Sequence, residues 1–119
     1  MRLAVIAASI GALATNAAAQ DRTKWEATWA NPVNRNLYRL AVCETGGINS
    51  GKPLWTHYNS TYAGALGFTH GTWNQYAPRT YPRPASRASP AQQYAVGRVL
   101  VKLFGYSPWP ACHRRLGIY

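Results

Sequence analysis

The first strong pattern in the chain is an apolar stripe with the spacing of a helix. Its apolar positions are Leu37, Leu40 and Ala41. Asn34 or Asn36 is the expected N-cap, since a short polar side chain can accept a hydrogen bond from a free backbone N–H. Gly46-Gly47 is a typical C-terminal stop signal. Glu44 follows Leu37 by seven residues, so the pattern places it on the same stripe and predicts partial burial.

A second helix is predicted by a capping box and the apolar pattern that follows it. Ser89 at the N-cap, Pro90 at N1 and Gln92 at N3 are the residue types that favour such a start. We expect this helix to run through Phe104 and to end at Gly105. The positions expected to face inward are Ala95, Val96, Val99, Leu100 and Leu103.

Shorter elements are predicted between and after these helices. Residues 48–67 lack a helical period and are rich in Gly, Asn, Ser, Thr and Tyr, which indicates a loop with a small hairpin. Thr69 can cap a short helix that ends at Pro78, a Pro- and Arg-rich loop covers 78–88, and Ser107-Pro108 can start a last short helix. The expected fold class is α+β and mainly helical, with one irregular lobe rich in aromatic residues.

The N-terminal segment has the features of a secretory signal. One positive charge precedes an apolar run from Leu3 to Ala14, and Ala17-Ala18-Ala19 supplies the small residues that a signal peptidase needs. An uncleaved anchor is the alternative, but the run is short for a bilayer span of about 20 residues. We therefore expect a signal peptide over 1–19, a lead-in over 20–33 and one domain over 34–119 in a secreted or wall-associated protein.

The only two cysteines of the chain are Cys43 and Cys112. The mature chain would hold about 100 residues, and a domain of that size buries only about two-thirds of its unfolded surface. A covalent link would help such a modest core. An even pair of cysteines in a secreted protein predicts one disulfide, whereas two free thiols are the alternative if the chain is not exported.

The charge balance is strongly basic. The chain has 13 Lys and Arg residues against three acidic residues, a formal net charge of +10. Such a surface attracts nucleic acid, anionic membranes or an anionic cell wall. The basic residues are dispersed and no nucleic-acid-binding module is present, so a solvated basic surface is the plainer interpretation and no specific nucleic-acid partner is expected.

Glu44 is the leading candidate for acid chemistry, because the other two acidic residues, Asp21 and Glu26, lie near the N-terminus. At the C-terminal end of a helix its carboxylate faces the negative end of the helix dipole. Partial burial would also disfavour the charged form. Both effects raise the pKa, as a general acid requires at neutral pH. The alternative is an ordinary surface glutamate.

Several short motifs in order resemble the transglycosylase-like domain of the resuscitation-promoting factors of actinobacteria, a lysozyme-like family. The matching segments are Cys43-Glu44-Thr45-Gly46-Gly47, residues 62–68, Thr72-Trp73, residues 85–89, Gln92-Gln93, Trp109-Pro110-Ala111-Cys112 and Leu116-Gly117. The resemblance covers roughly residues 35–118. It implies a lysozyme-like fold acting on peptidoglycan, with Glu44 as the catalytic acid and Cys43 paired with Cys112.

The chain departs from the family pattern beside these motifs. Ile48-Asn49 stands where the family usually has Asn-Trp, Gly67 stands where it usually has Gln, and the loop over 52–58 differs. Subsite contacts therefore cannot be carried over from the family. The substrate contacts that we predict are Trp55, Tyr58, Tyr62 and Thr69, although Trp55 and Tyr58 could equally belong to the core.

The lone acid favours one mechanism. Two-carboxylate glycosidases place their second acid within about 5–9.5 Å of the first, and no acidic residue follows Glu44. A lytic transglycosylase, in which the muramic C6 hydroxyl closes onto C1, fits better than hydrolysis. The alternatives are a catalytically weak wall-binding or signalling protein, and a cationic membrane- or nucleic-acid-binding protein.

Cofactor chemistry has little support in the sequence. His57, His70 and His113 lack the spacing of metal ligands, so we expect no metal and no cofactor. A Ser-His-Asp triad is disfavoured by the scarcity of acids. The expected partners are peptidoglycan glycan strands and anionic wall polymers, and the protein is expected to be a monomer. Trp73 and Trp109 are expected in the core.

Overall fold

The computed structural model describes residues 29–119, so the expected signal peptide and most of the lead-in lie outside it. Residues Pro32–Tyr119 form one compact unit. Its helices are α1 (Pro32–Thr45), α2 (His70–Tyr76), α3 (Pro90–Phe104) and α4 (Pro110–Leu116). A two-stranded sheet pairs β1 (Tyr62–Ala63) with β2 (Phe68–Thr69), and 3₁₀ turns cover Gly46–Ile48 and Ala85–Arg87. The mainly helical α+β expectation is confirmed.

Helix α1 begins at Pro32, earlier than the expected start at Asn34 or Asn36. Proline suits the first turn of a helix because its φ is already helical and its missing N–H would have no partner there. Asn34 is instead buried inside the helix, where its Oδ1 accepts a hydrogen bond from Arg98 of α3 at 2.8 Å. The asparagine therefore joins two helices rather than capping one.

Helices α1 and α3 approach each other closely at a glycine. A Cβ at Gly97 would lie 3.1 Å from both Leu37 methyl carbons and 3.2 Å from a Leu66 methyl carbon. Leu37 and Leu66 are fully buried. The absence of a side chain at position 97 therefore allows the helices to pack at this distance.

The capping box of α3 and its end at Gly105 are confirmed. The expected inward face is partly wrong. Val96 and Leu100 are buried, but Val99 and Leu103 are 40% and 56% exposed. The residues of α3 that are buried are Gln93, Tyr94, Val96, Gly97 and Leu100. The buried face of α3 thus includes Gln93, a polar residue that is absent from the expected inward positions.

Gln93 is fully buried because its carboxamide is fully used. Its Oε1 accepts from the backbone N–H of Ala65 at 2.9 Å. Its Nε2 donates to the carbonyls of Trp55, Ala85 and Ala88 at 3.0–3.1 Å. A buried amide costs little when its partners are all present. Gln93 therefore joins the hairpin, the loop before it and the segment before α3.

The expected hairpin and the short helix after it are both present. Strands β1 and β2 are antiparallel, with Tyr62 opposite Thr69 and Ala63 opposite Phe68. Gly64 in the turn has φ +83°, and a Cβ there would lie 2.6 Å from Gln93 Oε1. Thr69 caps α2 through its side chain, which accepts from the N–H of Thr72. Strand β2 ends at Thr69 and α2 begins at the next residue, so no loop separates the hairpin from α2.

The last helix starts at Pro110, with Trp109 as its N-cap, rather than at Ser107-Pro108. Proline suits this first helical position, since its φ is already helical. Trp109 and Trp73 are both buried, as expected, and the Trp109 indole N–H donates to the Leu66 carbonyl at 2.9 Å. The predicted disulfide joins Cys43 of α1 to Cys112 of α4, with Cα atoms 5.9 Å apart. Within residues 29–119, no helix is long and apolar enough to cross a membrane.

Candidate active site

An open groove passes the end of α1. A pocket of about 390 Å³ contains Glu44 and is lined by Glu44, Thr45, His57, Tyr62, Gly67, Pro108, Trp109, Pro110 and Ala111. A neighbouring pocket of about 340 Å³ shares Tyr62, Gly67 and residues 108–110 with it and continues past Thr69 and Thr72. Because the two pockets share their central wall, they form one groove with Glu44 toward one end.

Glu44 lies at the edge of the α1 stripe rather than on it. The buried positions of α1 continue from Ala41 to Thr45, whereas Glu44 is exposed to the groove. Thr45 is held there by three hydrogen bonds: its hydroxyl contacts the carbonyls of Ala41 and Ala65 and accepts from the N–H of Leu54. Thr45 thus anchors the last turn of α1 and directs its neighbour Glu44 into the groove.

The pKa of Glu44 is raised above its ordinary value of 4.5, mainly because burial against the groove walls disfavours the carboxylate. The side chain as a whole is exposed, so the shift reflects partial desolvation of the carboxyl end. Arg115 opposes the shift through its positive charge. The direction expected from the sequence is confirmed, with partial desolvation as its main cause.

Gly67 forms the wall of the groove beside the carboxyl group. Its φ is +63°, a conformation that favours glycine. A Cβ built at this position would lie 3.4 Å from Glu44 Oε1. The departure from the family pattern at Gly67 therefore leaves space directly beside the candidate acid.

The disulfide restrains the backbone next to Glu44. Cys43 precedes Glu44 and is bonded to Cys112 of α4. Arg115, one turn further along α4, places its Nη1 3.6 Å from the Cys43 sulfur. The same covalent link therefore positions both the acid and the cation that acts on it.

The predicted substrate contacts are divided between different parts of the domain. Tyr62 lines both halves of the groove and is 44% exposed, and Thr69 lines the half that leads away from Glu44. Trp55 packs edge-on against buried Tyr94, with ring centroids 5.2 Å apart. Tyr58 lies in a separate pocket beside His70. The groove thus contains two of the four residues, and their contact with a substrate stays a prediction.

His57 is a groove residue that sequence reasoning did not select for the site. It lies in an irregular loop, where no periodicity indicates the direction of a side chain. Within residues 29–119, no cluster of three or more His, Cys, Asp or Glu side chains could hold a metal ion.

A small, mainly helical domain with one disulfide and a single acid in an open groove is a lysozyme-like arrangement. The family profile of the transglycosylase-like domain matches residues 31–112 of this chain. The chain therefore belongs to the transglycosylase-like domain family.

Curated relatives agree with this assignment. Resuscitation-promoting factor Rpf1 of Corynebacterium glutamicum is 32% identical over 120 residues, covering 98% of this chain and 54% of the relative. RpfA of Mycobacterium tuberculosis is 36% identical over 81 residues, covering 66% of this chain and 18% of the relative. Rpf of Micrococcus luteus is 32% identical over 83 residues, covering 67% and 32%. The chain thus spans about half of the first relative and a third or less of the other two.

Proposed function

We propose that this domain cleaves peptidoglycan at the β-1,4 bond between N-acetylmuramic acid and N-acetylglucosamine, with Glu44 as its single catalytic acid. The observation that carries the proposal is the placement of Glu44. It is the only acidic side chain of residues 29–119, it lines the groove, and partial burial raises its pKa. A carboxylic acid that stays protonated to a higher pH can donate a proton to a leaving oxygen.

The proposed reaction is an intramolecular transglycosylation. Glu44 protonates the glycosidic oxygen as the bond from that oxygen to muramic C1 breaks. The resulting Glu44 carboxylate then takes the proton of the muramic C6 hydroxyl, and the C6 oxygen bonds to C1. Glu44 is thereby restored as an acid and the strand ends in a 1,6-anhydro ring. The C6 hydroxyl is favoured by proximity, since it belongs to the same sugar.

Two features of the site support this route, and the first favours it over hydrolysis. No other acidic side chain lies in residues 29–119, so none is available there as a nucleophile or as a base for water. Arg115 lowers the pKa that burial raises. Arg115 thus stabilises the charged form that Glu44 adopts once it has donated its proton.

The basic surface supports a further part of the proposal. Residues 29–119 carry ten Lys and Arg side chains and Glu44 as their one acid. We infer that this charge holds the enzyme on anionic wall polymers, where it acts as a secreted monomer after removal of residues 1–19. The lead-in, expected over 20–33 from the sequence, would connect the cleavage point to the catalytic domain, whose first helix begins at Pro32 rather than at the expected boundary of 34.

The test compares Glu44→Gln with wild type on purified cell walls. Gln keeps the size of the side chain but cannot donate the proton, so muropeptide release should fall by about 10²–10⁴-fold. Circular dichroism should show an unchanged fold. Glu26→Gln is the matched control, because it makes the same chemical change outside the groove-forming domain, and it should keep full activity.

Two results would contradict the proposal. A folded Glu44→Gln protein with substantial activity would remove Glu44 from the mechanism. A wild-type protein that binds walls without releasing muropeptides would favour a wall-binding or signalling role instead.

A further inference from the structure

A second pocket lies apart from the Glu44 groove and shares no lining residue with it. Its volume is about 310 Å³, and it is lined by Tyr58, His70, Trp73, Asn74, Arg83 and Pro84. This volume is near the lower end of the range for small-ligand sites, about 300–1,000 Å³. The pocket can hold a group about the size of one sugar residue.

One wall of the pocket is held by a fixed arginine. The guanidinium of Arg83 donates to the carbonyls of Pro78, Tyr81 and Ala77 at 2.8–3.2 Å. The Trp73 indole N–H donates to the Pro82 carbonyl at 2.9 Å in the same loop. These bonds fix the positive charge before any ligand arrives, so binding there needs little ordering of the loop.

Another part of the pocket lining is aromatic and is also fixed. His70 Nε2 lies 2.9 Å from the Asn59 carbonyl oxygen, which can only accept, so Nε2 carries the proton. The Tyr58 ring lies beside this imidazole, with centroids 5.3 Å apart. Tyr58 is nevertheless 60% exposed. The histidine therefore supports an aromatic ring that is still open to a ligand.

The pocket has binding capacity that the fold itself does not use. The Asn74 carboxamide and the Tyr58 hydroxyl make no hydrogen bond to any described residue. Arg83 has no carboxylate partner among residues 29–119, since Glu44, their one acidic side chain, lines the other pocket. One cavity is thus lined by a residue with an exposed aromatic ring, a residue with a carboxamide that is not hydrogen-bonded to the described residues, and an arginine without a carboxylate partner among them.

We propose that this pocket is a second glycan-binding site, which takes one N-acetylated sugar of a wall strand whose carboxylate is free rather than linked to a stem peptide. The Tyr58 ring packs against the apolar face of the sugar, the Asn74 carboxamide pairs with its acetamido group, and Arg83 attracts its carboxylate. The inference rests on the proposed function for its choice of polymer. A strand held here is retained by the enzyme independently of the Glu44 groove.

The loop that supplies Tyr58 agrees with a site particular to this chain. Residues 52–58 depart from the family pattern, and Tyr58 pairs with Ala63 of β1 through an isolated β-bridge. The departure therefore adds an exposed aromatic ring at the side of the hairpin, outside the groove that contains Glu44.

Two tryptophans allow the two sites to be observed separately by NMR. Trp73 lines the second pocket and Trp109 lines the groove, so the indole N–H resonance of each reports on its own site. The full chain carrying Glu44→Gln, which prevents cleavage, is titrated with the disaccharide N-acetylglucosaminyl-N-acetylmuramic acid. The uncharged chitin disaccharide is titrated in parallel.

We expect the Trp73 resonance to shift saturably with the muramic disaccharide and to respond more weakly to the uncharged one. Tyr58→Ala and Asn74→Ala should each weaken binding at Trp73 by about three- to tenfold, as for the loss of one contact or hydrogen bond. The exposed residues Tyr119 and Gln75 line neither site, so Tyr119→Ala and Gln75→Ala serve as matched controls and should leave the Trp73 titration unchanged.

The outcomes separate this inference from the proposed function. A Trp109 shift without a Trp73 shift would leave the groove intact and overturn the second site. A Trp73 shift that survives both Tyr58→Ala and Asn74→Ala would also overturn it, since the pocket would not be the origin. Equal binding of both disaccharides at Trp73 would contradict the proposal that the site takes a carboxylate-bearing sugar through Arg83. No shift at either indole would contradict the proposed substrate as well.

Discussion

Removal of the disulfide should both destabilise the domain and disable the site. The bond joins residues 69 apart in sequence. In the chain-entropy model, a loop of about 70 residues lowers the entropy of the unfolded chain enough to stabilise the fold by about 4 kcal/mol. For a domain of this size, losing that stabilisation should lower the Tm by about 15–30 °C.

The perturbation is the Cys43→Ala/Cys112→Ala double variant, compared with wild type with and without reductant. Alanine is chosen because Cys112 is 5% exposed and a buried polar replacement would add its own cost. Thermal unfolding by circular dichroism reports the stability. The double variant should unfold near the Tm of the reduced wild type and should not respond to reductant.

Activity measured in the same samples tests the positional role of the bond. Cys43 adjoins Glu44, and α4 carries both Cys112 and Arg115, so reduction should lower wall cleavage below the Tm of the reduced protein. A loss of stability under about 1 kcal/mol would refute the entropic argument. Full activity in the reduced, folded protein would refute the argument that the bond positions Glu44.

Three further changes test individual contacts. Gly97→Ala places a methyl group 3.1 Å from Leu37 and should lower the free energy of unfolding by about 1–3 kcal/mol in urea denaturation. Gln93→Ala leaves three backbone groups without a partner, the Ala65 N–H and the carbonyls of Trp55 and Ala88, and should cost about 2–5 kcal/mol in the same assay. Arg115→Gln removes the charge that lowers the pKa of Glu44, so the alkaline limb of the pH–activity profile, where Glu44 loses its proton, should move to higher pH.

Each of these changes has a matched control in the chain. A Cβ at Gly71 of α2 would meet nothing within 4 Å, so Gly71→Ala should not destabilise the domain. Exposed Gln75→Ala should leave stability unchanged. Arg114→Gln removes the neighbouring positive charge on α4 and should leave the pH profile in place. Equal effects of a variant and its control would contradict the contact assigned to it.

The raised pKa of Glu44 also predicts a pH dependence of stability. The folded protein holds the Glu44 proton more tightly than the unfolded chain does. Its contribution to stability is therefore present below the ordinary pKa of 4.5 and is lost as pH rises through the folded value. Glu44→Gln should remove this contribution, which comparison of urea denaturation midpoints across pH would detect.

Local signals in the sequence predicted the ends of helices well where a single cap residue determines the local backbone conformation. Ser89, Pro90 and Gln92 predicted the start of α3, Thr69 predicted the cap of α2, and Gly105 predicted the end of α3. These signals act within one turn of chain, so they do not depend on the rest of the fold.

Features that depend on packing between distant segments were predicted less well. Gln93 is buried because three other segments supply its hydrogen-bond partners, which no apolar pattern can show. With Gln93 on the buried face of α3, Val99 and Leu103 are exposed. Glu44 could be identified because acidic residues are scarce in this chain. His57 is placed at the site by an irregular loop and Arg115 by the disulfide, and neither placement can be read from a local pattern.

The identity of the reaction product tests the central claim most directly. Wild-type protein digests purified peptidoglycan, and mass spectrometry identifies the new muramic ends. If Glu44 acts alone and the C6 hydroxyl attacks C1, 1,6-anhydromuramyl ends should dominate, and Glu44→Gln should release neither product. Mainly reducing muramic ends, accompanied by loss of activity in Glu26→Gln, would contradict the account and identify a second carboxylate in the mechanism.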